Sequence, residues 1–127
     1  MSYTEITELI GKTLINIDVD MEKDEIIFTC DNGDMYKMYH QQDCCESVVI
    51  DDINGDINDL IGSPILIAEE LTFLDENPDN VEKPEYQDSF TCTFYKLATI
   101  KGFVDIRWYG DSNGYYSESV DFKKLTK

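Results

Sequence analysis

Basic residues are scarce in this 127-residue chain: ten lysines and arginines face 27 aspartates and glutamates, and Arg107 is the sole arginine. No basic patch exists for nucleic acid to dock on. There is also one histidine, His40. General acid–base work would therefore fall to carboxylates, no Ser-His-Asp set has a plausible base, and nothing picks out a catalytic pair. No glycine-rich loop is arranged to cradle a phosphate. No apolar run approaches the ~20 residues of a membrane span. The start, Met1-Ser-Tyr-Thr-Glu5, lacks the basic and apolar regions of a signal peptide. These absences argue against an enzyme and against a cofactor, and they make the cytoplasm the default compartment.

What the chain has in excess is negative charge, and it is unevenly placed. Of a net −17, the segment from Asp43 to Asp88 holds fourteen carboxylates and only Lys83, a local −13. The residues before it sum to −6 and those after it to +2. Such a field repels nucleic acid and anionic membranes and attracts basic protein surfaces, cationic ligands or metal ions. With 42% apolar residues and fourteen Tyr and Phe, the chain is nevertheless too hydrophobic to be disordered. Its length suits a single domain spanning 1–127.

Four cysteines would permit two disulfides, but without an export signal reduced thiols are expected. Cys30 and Cys92 lie in apolar strand patterns and read as small buried hydrophobes. Ser2-Tyr-Thr-Glu5 is a capping-box pattern, with Ser2 as N-cap of a short helix that Gly11 ends. Ile15, Ile17, Val19 and Met21 then alternate with polar residues as a half-buried strand. Ile26, Phe28 and Cys30 form a second strand, Asp31-Asn-Gly33 a hairpin turn, and Met35 to His40 a third. Val48–Ile53 reads as a strand, Asp56–Ile61 as a short helix stopped by Gly62, and Ser63-Pro64 opens a strand through Thr72. Asp75 to Ser89, with two prolines and six acids, is an exposed acidic loop. Phe90–Ala98, Phe103–Tyr109 and Tyr115–Phe122 close the chain. About eight strands and two short helices imply a mainly antiparallel β fold on the α+β borderline, an open barrel or a sandwich. Ile6-Thr-Glu-Leu-Ile-Gly11 echoes Ile57-Asn-Asp-Leu-Ile-Gly62. A duplicated unit would give this, but any capped helix feeding a strand looks the same, and the echo is assigned to such local physics.

Three clusters carry candidate chemistry. His40-Gln-Gln-Asp43-Cys44-Cys45-Glu46 gathers the histidine, two thiols and two carboxylates. Adjacent cysteines do not readily converge on one zinc ion, and acidic surroundings raise thiol pKa, so a polar turn is the expected reading. Asp52 to Asn58 has the alternate spacing of a calcium loop, but Ile57 stands in place of the required glycine and Ser63 in place of the bidentate glutamate. A helix entry is expected there, and no metal site overall. Trp108 to Tyr116 places aromatics around a hairpin beside Arg107. That arrangement fits either a recognition surface or cross-strand aromatic packing.

Met38-Tyr-His-Gln-Gln-Asp-Cys-Cys-Glu-Ser-Val48, Asp59-Leu-Ile-Gly-Ser-Pro-Ile65, Ala98-Thr-Ile-Lys-Gly102, Ile106-Arg-Trp-Tyr-Gly110 and Ser112-Asn-Gly-Tyr-Tyr-Ser-Glu-Ser-Val120 together resemble a family of small proteins encoded by tailed bacteriophages, a domain of unknown function. The resemblance implies an accessory protein at work in the host bacterial cytoplasm and implies no activity. Joined to the charge, it leads to a first expectation: a non-catalytic antagonist of host defence, of the anti-CRISPR or anti-restriction kind, with nucleic-acid mimicry as one form of it. Its partner would be a basic, nucleic-acid-binding effector, met by Asp51, Asp52, Asp56, Asp59, Glu69, Glu70, Asp75 and Glu76. The alternative is a small-molecule binder that sequesters a nucleotide-type signal through His40, Gln41, Asp43, Arg107, Tyr109, Asn113 and Tyr115. A third reading is an acidic structural or assembly protein whose charge keeps it soluble.

Overall fold

Alternating apolar residues bury one face of a strand, and β3 (Glu25–Cys30) shows it plainly: Ile26, Phe28 and Cys30 are buried between half-buried neighbours. The computed structural model describes residues 2–41, 46–74, 89–112 and 119–125. Besides β3 it holds β1 (Ser2–Tyr3), β2 (Leu14–Val19), β4 (Met35–Tyr39), β5 (Ser47–Asn54), β6 (Ile67–Leu74), β7 (Ser89–Thr99), β8 (Gly102–Ser112) and β9 (Asp121–Lys124). One sheet runs β1-β9-β4-β3-β2 and the other β5-β8-β7-β6, with every pairing of strands antiparallel. The expected antiparallel β class holds, as a sandwich-like pair of sheets rather than a closed barrel. None of the described helices is long and apolar enough to cross a membrane.

Both expected helices are single 3-10 turns, Ile6–Leu9 and Ile57–Leu60. Ser2 is not an N-cap. Ser2–Tyr3 is extended and pairs with Lys123 and Lys124, and the turn starts after Glu5 with no side-chain cap. Asp56 does cap the second turn, its carboxylate accepting from the Asn58 N–H at 3.0 Å. Ile15 and Met21 are exposed rather than core-facing. Leu14 pairs with Cys30 but Asn16 with Thr29, so Ile15 is the extra residue of a β-bulge, and the inward phase resumes at Ile17. The strand from Pro64 begins only at Ile67, and the last strand begins at Asp121, since Ser119 and Val120 are not extended into a ladder. The acidic loop from Asp75 lies outside the described residues up to Asp88, as do Cys44, Cys45, Asn113 and Tyr115. Cys30 and Cys92 are buried, and burial pushes the Cys30 thiol up.

The echo of Ile6–Gly11 in Ile57–Gly62 is more than local physics. Gly11 N–H donates to the Ile65 carbonyl at 2.8 Å, and Gly62 N–H donates to the Leu14 carbonyl at 2.9 Å. Ile10 bridges Ile65, Leu14 bridges Ile61, and Thr13 meets Pro64 between them. Each segment thus clasps its counterpart about a local two-fold, with Gly11 and Gly62 at φ 87° and 88°, the left-handed region that favours glycine. The topology repeats as well. The first turn leads into the meander β2-β3-β4 and a fourth strand, β5, that joins the other sheet beside β8. The second turn leads into β6-β7-β8 and a fourth strand, β9, that returns beside β4. The fold is two similar halves that exchange their last strands.

The core lies between the sheets, where Trp108, Tyr36, Tyr95, Phe28, Leu9, Leu60 and their neighbours are fully buried. Each such apolar side chain contributes roughly 1.5–3 kcal/mol. Trp108 of β8 donates its Nε1–H to Met38 Sδ of β4 at 3.2 Å, joining the two meanders. Tyr36 stacks on Phe122 at 5.4 Å. Burial pushes its hydroxyl up to about 12 and pushes that of Tyr95 higher still. The neutral phenols therefore favour the fold fully below pH ~10, and that stability is lost as pH rises through 12. In an alkaline titration, the last rise in tyrosinate absorbance should coincide with loss of the circular dichroism of the folded chain.

Candidate functional site

Ile50 pairs with Trp108 and Asp52 with Arg107, so Asp51 is the extra residue of a bulge in β5. The bulge turns Asp51 toward β8, where its Oδ2 meets the Arg107 guanidinium at 2.6 Å. Just before the bulge, Ile50 N–H donates to the Lys23 carbonyl at 2.7 Å. That bond docks the β2–β3 turn against β5, and Lys23 takes φ 59° to make the turn. The turn brings exposed Asp20, Glu22 and Asp24 toward exposed Asp51 and Asp52. Carboxylates thirty residues apart in sequence form one acidic edge.

Crowding at this edge has a measurable consequence for ionisation. A hydrogen bond with Asp20, joined by repulsion from Asp20 and Glu22, holds the Asp24 carboxyl above its usual range. Ligand oxygens of Asp20, Glu22 and Asp24 lie within 4.8 Å of one another, close enough to meet one cation. Sequence reasoning singled out Asp52 to Asn58 instead, where Asp56 is spent on its cap.

The remaining expected acidic residues separate by environment. Asp56, Glu69 and Glu70 are exposed. Asp59 is half-buried; its carbonyl accepts from the Thr99 hydroxyl, and its carboxylate packs so near Gly102 that a Cβ there would stand 2.9 Å from Oδ2. Glu69 lies opposite Lys96 on the outer face of the second sheet, and Glu70 opposite Tyr95. Asp75 and Glu76 lie outside the described residues.

The ligand-binding set is divided between the sheets. Arg107 and Tyr109 are half-buried on β8, while His40 follows β4. His40 sits inside the protein: its Nδ1 is 2.6 Å from the Ser119 carbonyl, and its Nε2 is 2.6 Å from Glu46 Oε2. A carbonyl only accepts, so Nδ1 carries a proton. Both ring nitrogens are thereby engaged, and the imidazole pins the loop after β4 to the segment before β9. Next to it, Gln41 N–H donates to Asp121 Oδ2 at 3.1 Å. Asp43, Asn113 and Tyr115 lie outside the described residues.

A family model for a domain of unknown function, DUF7448, matches residues 7–122. The chain belongs to this family. No match was found among curated proteins, and none among solved structures. The matched span begins inside the first turn and ends inside β9, so it takes in both meanders and the His40–Glu46 pair and leaves out β1.

Proposed function

We propose that this chain is a non-catalytic binding protein that docks on a basic protein surface through its acidic edge. The setting that fits its resemblance to tailed-phage proteins is the bacterial cytoplasm, with a nucleic-acid-binding defence effector as the partner. Carboxylates would then stand where that effector's phosphates bind. The observation that carries this reading is the Ile50–Lys23 bond, which docks the turn bearing Asp20, Glu22 and Asp24 against the strand bearing Asp51 and Asp52, in a chain of net charge −17. The signal-sequestering alternative draws on His40 and Arg107. Both already face carboxylates of the same chain, so the first reading is the one carried forward.

The test is association kinetics with the effector recovered on the tagged protein from host lysate. Association should slow at least tenfold between low salt and a few hundred millimolar, as screening removes the steering. Reversal of Asp52 and Glu22 to lysine should lower the on-rate further while leaving the melting temperature within a few degrees. Salt-independent association, or reversed variants that bind as well as the parent, would sink the proposal.

A further inference from the structure

A strand at the edge of a sheet carries a row of unpaired backbone N–H and C=O groups. Folded chains blunt such edges with very short strands, bulges, prolines, lysines or a covering segment. The two sheets have four edges, β1, β2, β5 and β6. Three of them are blunted. β1 is two residues long, and β2 carries the bulge at Ile15. β5 carries the bulge at Asp51, and the Lys23 carbonyl takes its Ile50 N–H.

β6 has none of these devices. It is the last strand of its sheet and pairs with β7 in unbroken register, from Ile67 opposite Ala98 to Leu74 opposite Thr91. Its eight residues include no proline and no lysine. The first turn packs against β6, and Gly11 bonds Ile65 just ahead of it. Among the described residues, no backbone hydrogen bond is made along the side of β6 away from β7. Exposure shows the same opening. Successive residues of a strand point to opposite faces, yet Glu69, Glu70, Leu71 and Thr72 are all exposed. Both faces of this stretch are therefore open, while Tyr95 and Thr93, opposite Glu70 and Thr72 on β7, are buried. The core ends at β7.

We infer that β6, from Glu69 to Thr72, is a docking edge to which an extended segment of a basic protein adds as a fifth strand. Main-chain hydrogen bonds give such an addition its affinity, and the side chains that alternate along it give specificity. This rests on the proposed binding of a basic partner and adds how a segment of that partner is held. Charge decides the occupant. Glu69 and Glu70 set one carboxylate on each face of the edge, so a lysine or arginine on either face of the added strand meets an opposite charge. A second copy would bring the same two carboxylates and another −17. Nucleic acid and anionic membranes are repelled and offer no amide ladder. β5 and β6 lie three strand spacings apart, about 14 Å, so one partner spans the acidic edge and the added strand.

The test uses the full chain and three capped synthetic peptides of equal length. One alternates lysine with valine, the second is the same peptide with every backbone nitrogen methylated, and the third alternates glutamate with valine. Methylation keeps the side chains and their charge and removes the main-chain donors. Binding is read by calorimetry and by amide hydrogen exchange. The lysine–valine peptide should bind at least about tenfold more tightly than either other peptide. It should slow exchange of the β6 amides and leave those of β2 unchanged. Glu69→Gln combined with Glu70→Gln should weaken it several-fold, and the melting temperature should barely move because both positions are exposed. Equal binding of the methylated peptide, or unchanged exchange in β6, overturns strand addition while leaving charge-driven recognition standing. A lysine–valine peptide that binds no better than the glutamate–valine peptide also overturns the inference, and the salt dependence of the effector's association then decides the basic-partner reading separately. A dimer in sedimentation whose β6 amides are already protected without peptide assigns the edge to a second copy and overturns the inference.

Discussion

Replacing His40 with alanine is expected to destabilise the protein by about 1–3 kcal/mol, as leaving buried hydrogen-bonding groups without a partner does. The side chains of His40 and Glu46 are only 4% and 0% exposed. Without the imidazole, Glu46 keeps a buried carboxylate with its 2.6 Å partner gone, and the Ser119 carbonyl loses its donor. His40→Ala combined with Glu46→Ala should recover part of the loss, because the buried carboxyl that His40 engaged is then gone. The non-additivity between single and double variants measures the pair itself. Urea unfolding reads all three. A His40→Ala variant within 0.5 kcal/mol of the parent would show that the pair contributes little to holding the loop.

How far the fold was legible depended on how local its causes were. β3 could be read because it lies between two paired neighbours, so Ile26, Phe28 and Cys30 answer to one buried face. β2 broke the same rule at one residue: Ile15 is the extra residue of a bulge and stays outside, while Ile17 and Val19 keep the inward side that their alternation implied. The six-residue segments ending in Gly11 and Gly62 read as helices, since a short apolar turn with a glycine stop has one pattern whether it closes as α or 3-10. That the two segments bond each other is a tertiary fact that neither carries alone.

The site divides the same way. Exposure of Asp51 and Asp52 followed from their place among polar residues. The capture of Arg107 by Asp51 depends on a bulge that no periodicity signals. Glu46 sits six residues past His40, and nothing in that spacing announces that the two side chains meet. Asp20, Glu22 and Asp24 went unremarked because their significance comes from the turn docking on β5. That Thr91 and Thr93 of β7 are buried could not be read from Thr91-Cys-Thr93, because either parity gives an acceptable strand.

The exchange of last strands leads to the other large effect. Neither meander keeps its own fourth strand: β5 completes the sheet of the second half, and β9 that of the first. Neither half can therefore unfold without opening a ladder of the other, and Trp108 packed on Met38 adds a side-chain tie between them. Leu9→Ala, at a fully buried position in the first turn, should cost about 2–5 kcal/mol. Trp108, the sole tryptophan, belongs to the second half and reports on that half by fluorescence. For interlocked halves, Leu9→Ala must move the Trp108 fluorescence midpoint in urea as far as the midpoint of far-ultraviolet circular dichroism, with one transition in each. For halves that merely touch, the fluorescence midpoint would stay near the parent value while part of the dichroism is lost at lower urea. Coincident shifts are the expected result, since β5 cannot leave β8 while β8 keeps the environment its tryptophan reports.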